Sequence, residues 1–377
     1  MSNNYRPVLK WTGSKYNEYK FIKPYLPDDI NDYYEPFAGG MGLMYHLKED
    51  NLINGQIYAN DVSQQLIDFY HDVTNDAFFD KLQEISDAWD AIREIGNNIL
   101  EKYESKMVEA FDKNDMNIFI NDDLKNDVEN LINEKESLKK LNFHDFSLKD
   151  YIIDSLTDKV KRFIAKKDKF VGNKNDYVKK AIPTSICQSF YFVIREMYND
   201  WLNPLTIDKY SDEEKAAQWY FVRQFAFGGM FRFGKDEKFN VPYGGYGYND
   251  RCFTCYIDHL KSDEIQDIFK NINLSCMDFE EILKKNFNEN DFIFLDPPYD
   301  STFNNYESGG FNHHEQERLR NALSNLKAKW MVVIKETDFI KDLYKGFNID
   351  TYDKTYQYNA RGDYDKKVQH LIIRNYH

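Results

Sequence analysis

The chain has 377 residues, of which 42% are hydrophobic and 16% aromatic, so it can bury a sizeable core and is not globally disordered. Its formal net charge of −14 argues against a wholly basic nucleic-acid-binding surface, although a local basic cleft remains compatible with it. No apolar run approaches the roughly 20 residues of a membrane-spanning helix, and the start, MSNNYRPVLKWTGSK, lacks the apolar segment of a signal peptide. We therefore expect a cytoplasmic protein without membrane contact.

A strand–loop–helix pattern opens the first regular region. Residues 33–42, YYEPFAGGMG, predict a strand followed by a glycine-bearing loop, and LMYHLKED predicts the helix after it. Residues 56–59 predict a second strand that ends at Asn60 and Asp61, and a second helix begins near Leu66. This βαβα beginning is typical of a parallel sheet.

The residues that end these two strands indicate a nucleoside ligand. Gly39, Gly40 and Gly42 surround the strand-to-helix turn, where glycine allows a backbone to approach a ligand closely. Asp61 lies 22 residues after Gly39, where a carboxylate can accept hydrogen bonds from both hydroxyls of a ribose. The GxGxxG motif that a nicotinamide dinucleotide favours is absent from this loop. The pattern therefore favours a nucleoside cofactor of another kind.

The middle of the chain predicts an insertion. Residues 80–180 have apolar positions at helical spacing with charged flanks, which predicts packing helices with solvated faces and little chemistry. Residues 220–250 are rich in Gly, Phe and Tyr, and they predict a glycine-hinged β-hairpin whose rings stack on bases and whose cations contact phosphates. A loop-rich aromatic minidomain is the alternative interpretation.

The four cysteines do not predict a metal site. Cys252 and Cys255 form a single CxxC, and no second cysteine pair or histidine pair lies nearby to complete four zinc ligands. We expect reduced structural thiols and no bound metal.

Four apolar runs near the C-terminus predict further strands. INLSCMDFEEIL predicts a strand that ends near Asp278 and Phe279, and NDFIFLDPPY, KWMVVIKET and VQHLIIRNY predict three more. The sheet is then built from both ends of the chain. We predict a catalytic domain from residues 1–79 and 261–377, with residues 80–260 inserted.

The DPPY sequence ends one of these strands. Phe292 to Leu295 form a continuous apolar run, which suits a strand covered on both faces. Asp296 then lies at the carboxyl end of the strand, where ligands bind in open α/β sheets. Pro297 and Pro298 stop strand pairing and fix Asp296 relative to Tyr299. An ordinary strand exit with a polar cap is the alternative.

Several motifs together resemble those of the Dam-like, α-group DNA adenine-N6 methyltransferases. They occur in the family's order: KWTGSK, EPFAGG, ND at 60–61, FYFVIREMYN, GGMFRFGKDEKFNVPYGGY, DFEEI and DPPY. The likeness covers most of the chain outside residues 80–180. It implies an α/β fold, with a Rossmann-like methyltransferase sheet and an inserted, largely helical target-recognition domain that contains a β-hairpin.

The resemblance also implies roles for individual residues. The residues implied in binding S-adenosylmethionine are Trp11, Lys15, Glu35, Phe37, Gly39, Asp61, Asp278, Phe279 and Asp296. The residues implied in catalysis are Asp296, Pro297, Pro298 and Tyr299. For DNA contact, Lys10 and the region around Arg232 match the family. With the cationic and apolar residues of the predicted hairpin, the candidates are Lys10, Arg223, Phe227, Met230, Phe231, Arg232 and Lys238.

The implied reaction is methyl transfer to N6 of adenine in double-stranded DNA. The N6 lone pair is delocalised, so acceptors on the amino hydrogens would make it available, and Tyr299 offers a ring for a base rotated out of the duplex. An RNA or protein amino-group methyltransferase and an inactive DNA-binding relative are alternatives. Asp296 argues against the protein-amide class, in which an Asn is expected at that position, and the intact motifs argue against inactivity.

Two departures from the family leave the DNA target sequence open. The strand WMVVIKETD lacks a Ser-Asn ending, and the insertion at 80–180 exceeds that of compact members. A cognate restriction endonuclease as partner and an orphan methylating role both remain open. We expect a monomer or a weak dimer.

Overall fold

The computed structural model describes residues 5–299, 311–355 and 367–377. The chain forms two compact units. The first, Met1–Thr74 with Leu260–His377, is called the sheet unit here, and the second, Asn75–His259, the helical unit. The assignment of the helical unit to target recognition stays a prediction.

The sheet unit is built on seven strands in the order β3-β2-β1-β4-β5-β7-β6. Neighbouring strands pair in parallel from β3 to β5, and β7 runs antiparallel to both β5 and β6. The strands are β1 Tyr33–Glu35, β2 Ile57–Asn60, β3 Ile272–Ser275, β4 Phe292–Leu295, β5 Lys329–Lys335, β6 Asn348–Thr355 and β7 Lys367–Arg374. The predicted α/β class with a Rossmann-like sheet is confirmed.

The centre of this sheet is fully apolar, as the continuous hydrophobic runs predict. All four residues of β4 are buried, and so are Trp330 to Ile334 in β5. Helices can cover both faces of such strands. The strand order reverses between β1 and β4, so the carboxyl ends of these two neighbours flank the crevice in which α/β sheets bind ligands.

Two details of the sheet differ from the prediction. β3 ends at Ser275, three residues before Asp278, because Asp278 caps a short helix by accepting a hydrogen bond from the Glu280 backbone N–H. β6 was not predicted. Its sequence, NIDTYDKT, is mostly polar and contains two aspartates and a lysine, as suits an edge strand, and it lacks an apolar run.

Helices of the sheet unit connect these strands. They are α1 Tyr19–Ile22, α2 Gly42–Glu49, α3 Gln64–Asp72, α11 Asp263–Asn271, α12 Phe279–Leu283, α13 His313–Leu323 and α14 Asp338–Leu343. A further helix, α10 Phe253–Leu260, ends where the helical unit meets the sheet unit in sequence.

The helical unit agrees with the helices predicted for residues 80–180. Its helices are α4 Asp76–Lys113, α5 Asp122–Glu134, α6 Glu136–Lys140, α7 Leu148–Ile164, α8 Lys174–Trp201 and α9 Asp212–Phe225. α4 begins where Asn75 accepts a hydrogen bond from the Ala77 backbone N–H, and it ends at Asn114 in the left-handed conformation. α9 begins with a capping box formed by Ser211 and Glu214.

The prediction of a β-hairpin with regular strands is wrong, although the segment does reverse on itself. Residues 226–250 contain no strand, and two single antiparallel bridges, Ala226 with Tyr243 and Phe233 with Phe239, hold the segment. Gly228 and Gly229 have φ of +64° and +67°, so the chain turns directly after α9 and does not extend as a strand. The alternative of a loop-rich aromatic segment describes this region better.

The expectation of reduced cysteines is wrong for one pair. Cys252 and Cys255 form a disulfide at the start of α10, with their Cα atoms 5.3 Å apart. Residues three apart at a helix start face the same side, which brings the two sulfur atoms within bonding reach. Cys187 and Cys276 are free thiols.

In the part of the chain that the structure describes, every helix is too short or too polar to cross a membrane.

Candidate active site

The carboxyl edge of the sheet gathers most of the predicted site residues. Glu35 ends β1, Asp61 follows β2, Asp278 follows β3 and Asp296 follows β4. Because these strands are parallel neighbours, their carboxyl ends lie along one edge. The predicted cofactor residues Trp11 and Lys15 come from the N-terminal segment, and Phe37 and Gly39 come from the loop after β1.

The glycine-bearing loop after β1 packs against the KWTGSK segment. Gly39 has φ +46°, and a Cβ atom there would lie 2.8 Å from Nε1 of Trp11. A Cβ at Gly40 would lie 2.7 Å from Cβ of Trp11, and one at Gly42 would lie 2.4 Å from Oγ of Ser14. These glycines therefore permit close packing of the loop against the protein's own N-terminal segment, and their predicted approach to a ligand stays a prediction.

Asp61 fixes this loop through backbone hydrogen bonds. Its Oδ2 accepts from the Gly39 N–H at 2.9 Å, and its Oδ1 accepts from the Ser63 N–H at 3.0 Å. Burial raises the pKa of the Asp61 carboxyl, and these N–H donors lower it in part. The carboxylate therefore has a backbone donor on each oxygen and keeps further acceptor capacity for a ligand.

Asn60 is a positioning residue that the sequence analysis did not single out. Its side chain is 2% exposed and donates to the carbonyl oxygens of Pro36 at 3.1 Å and Met277 at 2.9 Å. Its Oδ1 accepts from the Met277 N–H at 3.1 Å and the Ser275 hydroxyl at 3.0 Å. One buried amide thus ties together the chain ends that leave β1, β2 and β3. The available signal was a polar residue at the end of an apolar strand.

Three aromatic rings form an apolar wall beside Asp278. The rings of Phe37, Phe279 and Phe311 lie with centroids 5.3 to 5.7 Å apart. Arg318 lies over the ring of Phe279 at 5.0 Å, and it donates to Asp278 Oδ1 at 2.9 Å. Phe37 and Phe279 are thus brought together as predicted residues, and Phe311 joins them from the segment before α13.

Asp296 is paired with Lys15. The Lys15 ammonium donates to Asp296 Oδ1, to the Gly13 carbonyl at 2.8 Å and to the Tyr299 hydroxyl at 3.1 Å. Lys15 is 1% exposed. Burial raises the pKa of the Asp296 carboxyl, and the Lys15 charge opposes that rise. The predicted cofactor residue Lys15 is therefore a direct partner of the predicted catalytic residues.

The two prolines after Asp296 have a partner of their own. Pro297 is buried, and the Pro298 carbonyl accepts a hydrogen bond from Nε2 of Gln316 at 3.1 Å. Gln316 lies on α13 and is 0% exposed. This glutamine therefore fixes the DPPY turn through the Pro298 carbonyl. Its neighbours in the sequence gave no indication of that role.

Glu35 is a buried carboxyl with an unsatisfied oxygen. It is 3% exposed, and its Oε2 has no hydrogen-bond partner within the described residues. Burial, followed by the nearby Asp296 charge, raises the pKa of the Glu35 carboxyl well above its usual range. Such a group suits a cationic ligand atom, which would supply the missing partner.

The predicted DNA-contacting residues lie in both units. Lys10, Arg232 and Lys238 are exposed, and Phe227 has 38% of its surface exposed, while Met230 and Phe231 are half-buried. Arg232 donates through Nε to Asn240 Oδ1 at 3.1 Å.

The prediction that Arg223 lies in an exposed hairpin is wrong. It lies in the last turn of α9, it is 3% exposed, and its guanidinium lies 4.3 Å from the ring centroid of Phe231. α9 continues through this position, so the side chain packs into the helical unit, and its contact with DNA loses its structural basis.

Comparison with known proteins decides the family. The model of the family described as D12 class N6 adenine-specific DNA methyltransferase matches residues 11–358. The chain belongs to this family. It is an adenine-specific DNA methyltransferase, as the resemblance predicted, and DNA is its substrate.

Two of the similar proteins cover nearly the whole chain, and a third covers less than half of it. Type II methyltransferase M.CviBI of Paramecium bursaria Chlorella virus NC1A is 24% identical, over 98% of this chain and 100% of its own. Type II methyltransferase M.MjaIII of Methanocaldococcus jannaschii is 26% identical, over 98% of this chain and 99% of its own. The retron Ec67 DNA adenine methylase of Escherichia coli is 27% identical over 42% of this chain and 52% of its own.

Proposed function

We propose that this methyltransferase transfers the methyl group of S-adenosylmethionine to N6 of an adenine in double-stranded DNA, and that Asp296 and Tyr299 hold the adenine. The observation that carries this proposal is the Asp296 carboxylate, paired with Lys15 at the carboxyl end of β4 beside two prolines and an aromatic ring. This arrangement puts a hydrogen-bond acceptor and a stacking surface at the crevice of the sheet.

The acceptor activates the amino nitrogen. Lys15 bonds to one oxygen of Asp296, which orients the carboxylate and leaves its second oxygen to accept from an adenine N–H. The Pro297 carbonyl is the second acceptor. The amino nitrogen then has an available lone pair, forms the new N–C bond as the S–CH₃ bond breaks, and passes one proton to the Asp296 carboxylate. Tyr299 stacks on the base once it has rotated out of the duplex.

The residues of the first three strand ends fit the methyl donor. S-adenosylmethionine carries its methyl group on a sulfonium. When the S–CH₃ bond breaks, the sulfur keeps the bonding electron pair. The unsatisfied Oε2 of Glu35 fits a cationic group such as its ammonium. Asp61 fits a ribose, and the wall of Phe37, Phe279 and Phe311 fits an apolar ring face.

A basic stretch in the helical unit supports DNA binding by this acidic protein. Residues 158–180 contain nine Lys or Arg against three Asp, whereas the whole chain has a net charge of −14. Lys166, Lys169 and Lys179 are exposed and have no carboxylate within ion-pair distance in the described part of the chain. Lys180 lies 5.2 Å from the ring centroid of Tyr246, in the predicted recognition segment. Phosphate binding needs such clustered cations.

The test is transfer of labelled methyl from S-adenosylmethionine to duplex DNA, RNA and protein, with the wild type and Asp296→Ala. We expect label on adenine N6 of duplex DNA alone, and none with the variant. Label on RNA or protein would replace the proposed substrate, and undiminished transfer by Asp296→Ala would overturn the proposed site. Since full-length relatives are named Type II methyltransferases, we propose the same class here, acting as a monomer or weak dimer with or without a cognate endonuclease.

A further inference from the structure

A second cluster of ionisable side chains, three of them buried and one half-buried, lies next to Lys15 and Tyr299. It consists of Glu18 from the N-terminal segment, Tyr352 and Lys354 from β6, and His370 from β7. Glu18 is 5% exposed and His370 is 0% exposed. Charges buried in this way cost free energy unless they are paired, and the reaction as proposed above does not use any of them.

Glu18 ties the N-terminal segment to the edge of the sheet. It accepts hydrogen bonds from the Tyr352 hydroxyl and the Lys354 ammonium, and its Oε2 lies 3.5 Å from Nδ1 of His370. Tyr352 and His370 are directly paired across β6 and β7, with the Tyr352 hydroxyl 3.2 Å from Nδ1. All three partners of Glu18 therefore come from one antiparallel strand pair, β6 and β7.

The segment held by Glu18 carries Lys15. Glu18 is the last residue of a short 3-10 helix, Tyr16–Glu18, and its backbone N–H donates to the Lys15 carbonyl at 3.0 Å. Lys15 lies at the N-terminus of that helix and extends its side chain to Asp296. The position of Glu18 on the strand pair therefore sets the position of the Lys15 ammonium.

His370 reaches the other half of the site directly. Its ring and that of Tyr299 lie 5.4 Å apart at an interplanar angle of 81°, an edge-to-face contact. The same imidazole thus touches the proposed base-stacking ring and the carboxylate that anchors Lys15.

We propose that Glu18 and His370 are positioning residues of the target-adenine site. Glu18 fixes Lys15 against Asp296, and His370 fixes the ring of Tyr299 against which the extruded adenine stacks. This inference rests on the proposed roles of Asp296 and Tyr299. It differs from a purely structural role, in which the cluster holds β6, β7 and the N-terminal segment together without affecting turnover.

The test uses Glu18→Gln and His370→Phe. The first keeps the size of the side chain without its charge, and the second keeps an aromatic ring without its hydrogen bonds. Once sequencing of methylated host DNA has identified the target, we would measure kcat, KM for both substrates and the fluorescence of 2-aminopurine at the target position. Asp353→Asn, an exposed change on β6, is the matched control.

For Glu18→Gln we expect kcat to fall by about tenfold to a hundredfold, because displacement of a catalytic group by about 1 Å can cost that much. KM for S-adenosylmethionine should stay within about threefold, since this change does not alter an interaction proposed for the cofactor. His370→Phe should lower kcat and change the 2-aminopurine signal of the enzyme–DNA complex, because the ring loses the Nδ1 contacts with Glu18 and Tyr352 that hold it against Tyr299. The control should behave as the wild type in all three measurements.

Wild-type kcat and fluorescence in both folded variants, with only a lower melting temperature, would overturn the inference. If Glu18→Gln does not fold, His370→Phe alone decides, through its fluorescence and kcat. Failure of the proposed function is distinguishable, because it would appear as retained transfer by Asp296→Ala, whatever the two positioning variants do.

Discussion

Two aspartates at one edge of one sheet are held in different ways. Asp61, after β2, accepts hydrogen bonds from the neutral backbone N–H groups of Gly39 and Ser63. Asp296, after β4, accepts from the buried ammonium of Lys15. Similar strand ends thus support one site whose geometry depends on backbone dipoles and another whose geometry depends on charge. The two should respond differently to substitution and to pH.

The largest effect is expected from substitution of Asp296, the aspartate that the Lys15 ammonium holds. Asp296→Ala removes the acceptor for the adenine amino group, so turnover should fall by about 10²–10⁴ or more. Asp296→Asn should be nearly as inactive, because it loses the pair with Lys15 although one acceptor oxygen remains. The measurement is single-turnover methyl transfer at saturating cofactor. Binding of S-adenosylmethionine by calorimetry should stay within a few-fold, and its loss would mean that Asp296 also holds the cofactor.

Substitution of Asp61, the aspartate held by backbone N–H groups, should lower the affinity for S-adenosylmethionine. In Asp61→Asn, the amide must place its NH₂ against the N–H of either Gly39 or Ser63, so one acceptor is lost and two donors face each other. We expect the affinity for S-adenosylmethionine to fall by about tenfold to a hundredfold, the equivalent of about 1.5–3 kcal/mol for a hydrogen bond to a charged group. Asp68→Asn, an exposed change on α3, is the control. Unchanged affinity in calorimetry would remove Asp61 from the cofactor site.

The surroundings of Asp296 and Asp61 also differ in how much of them the sequence predicts. Strand β4 and Asp296 could be predicted because an apolar run followed by Asp-Pro-Pro specifies a buried strand and its end locally. The place of Asp61 directly after β2 could be predicted from the apolar run before it, whereas its bond with the Gly39 N–H was not predicted. The partners Glu18, Gln316 and His370 could not, because each reaches the site from a distant element and its role depends on packing that no local pattern encodes.

The edges of the molecule show the same limit. β6 lies at the end of the strand order, where β7 alone pairs with it among the described residues, and it was missed because it has no apolar run. The hairpin was predicted wrongly because aromatic residues and glycines suit both strands and compact turns, and here the positive φ of Gly228 and Gly229 decides for a turn. Arg223 was misplaced for a related reason, because helix α9 extends further than its glycine-rich continuation indicated.

The buried charge of Glu18 should make the stability of the fold around Lys15 and Asp296 sensitive to acid. Although burial alone would raise the pKa of Glu18, its bond with His370 and the charges of Lys15 and Lys354 lower this pKa from an ordinary 4.5 to about 2. A carboxyl whose pKa is lower in the folded than in the unfolded state stabilises the fold at every pH above its unfolded-state pKa. For Glu18 this stability is lost as the pH falls from about 4.5 to about 2. The backbone-held Asp61 does not share this contribution, since its pKa is raised.

Glu18→Gln should therefore lower the free energy of unfolding at neutral pH by on the order of 3 kcal/mol. The difference from the wild type should shrink as the pH falls through that window. Denaturant titrations at several pH values measure it, with Asp353→Asn as the exposed control. A difference that did not depend on pH would show that packing, and not the charge of Glu18, stabilises this region.

The pH dependence of turnover should distinguish the two aspartates further. The pKa of Asp296 is raised by burial, and the carboxylate is the active form, so kcat should decrease as the pH falls through a value above the usual aspartate range. Lys15→Met removes a charge that lowers this pKa, so its acid limb should move to higher pH. The kcat–pH profiles of both proteins at saturating cofactor measure this. An unmoved limb would assign it to another group.

The smallest effect is expected in the basic stretch of the helical unit. Lys166 and Lys169 are exposed and unpaired with acids among the described residues, whereas Lys102 and Lys106 of α4 lie within 4.0 Å of Asp127 and Asp123. Both double changes to Gln remove two charges from the same unit. Only the first should matter for DNA, because the second pair is already neutralised locally.

For the double change Lys166→Gln with Lys169→Gln, we expect a few-fold loss of affinity for every duplex. The dependence of affinity on salt concentration should become shallower, by an amount that corresponds to up to about two lost phosphate contacts. Arg232→Ala should instead cost about 1–3 kcal/mol on the target sequence alone, if its planar fork contacts a base. Binding to target and scrambled duplexes at several salt concentrations separates these outcomes. Equal losses for the two lysine pairs would show that net charge alone governs binding, and a uniform loss for Arg232→Ala would make that residue a phosphate contact.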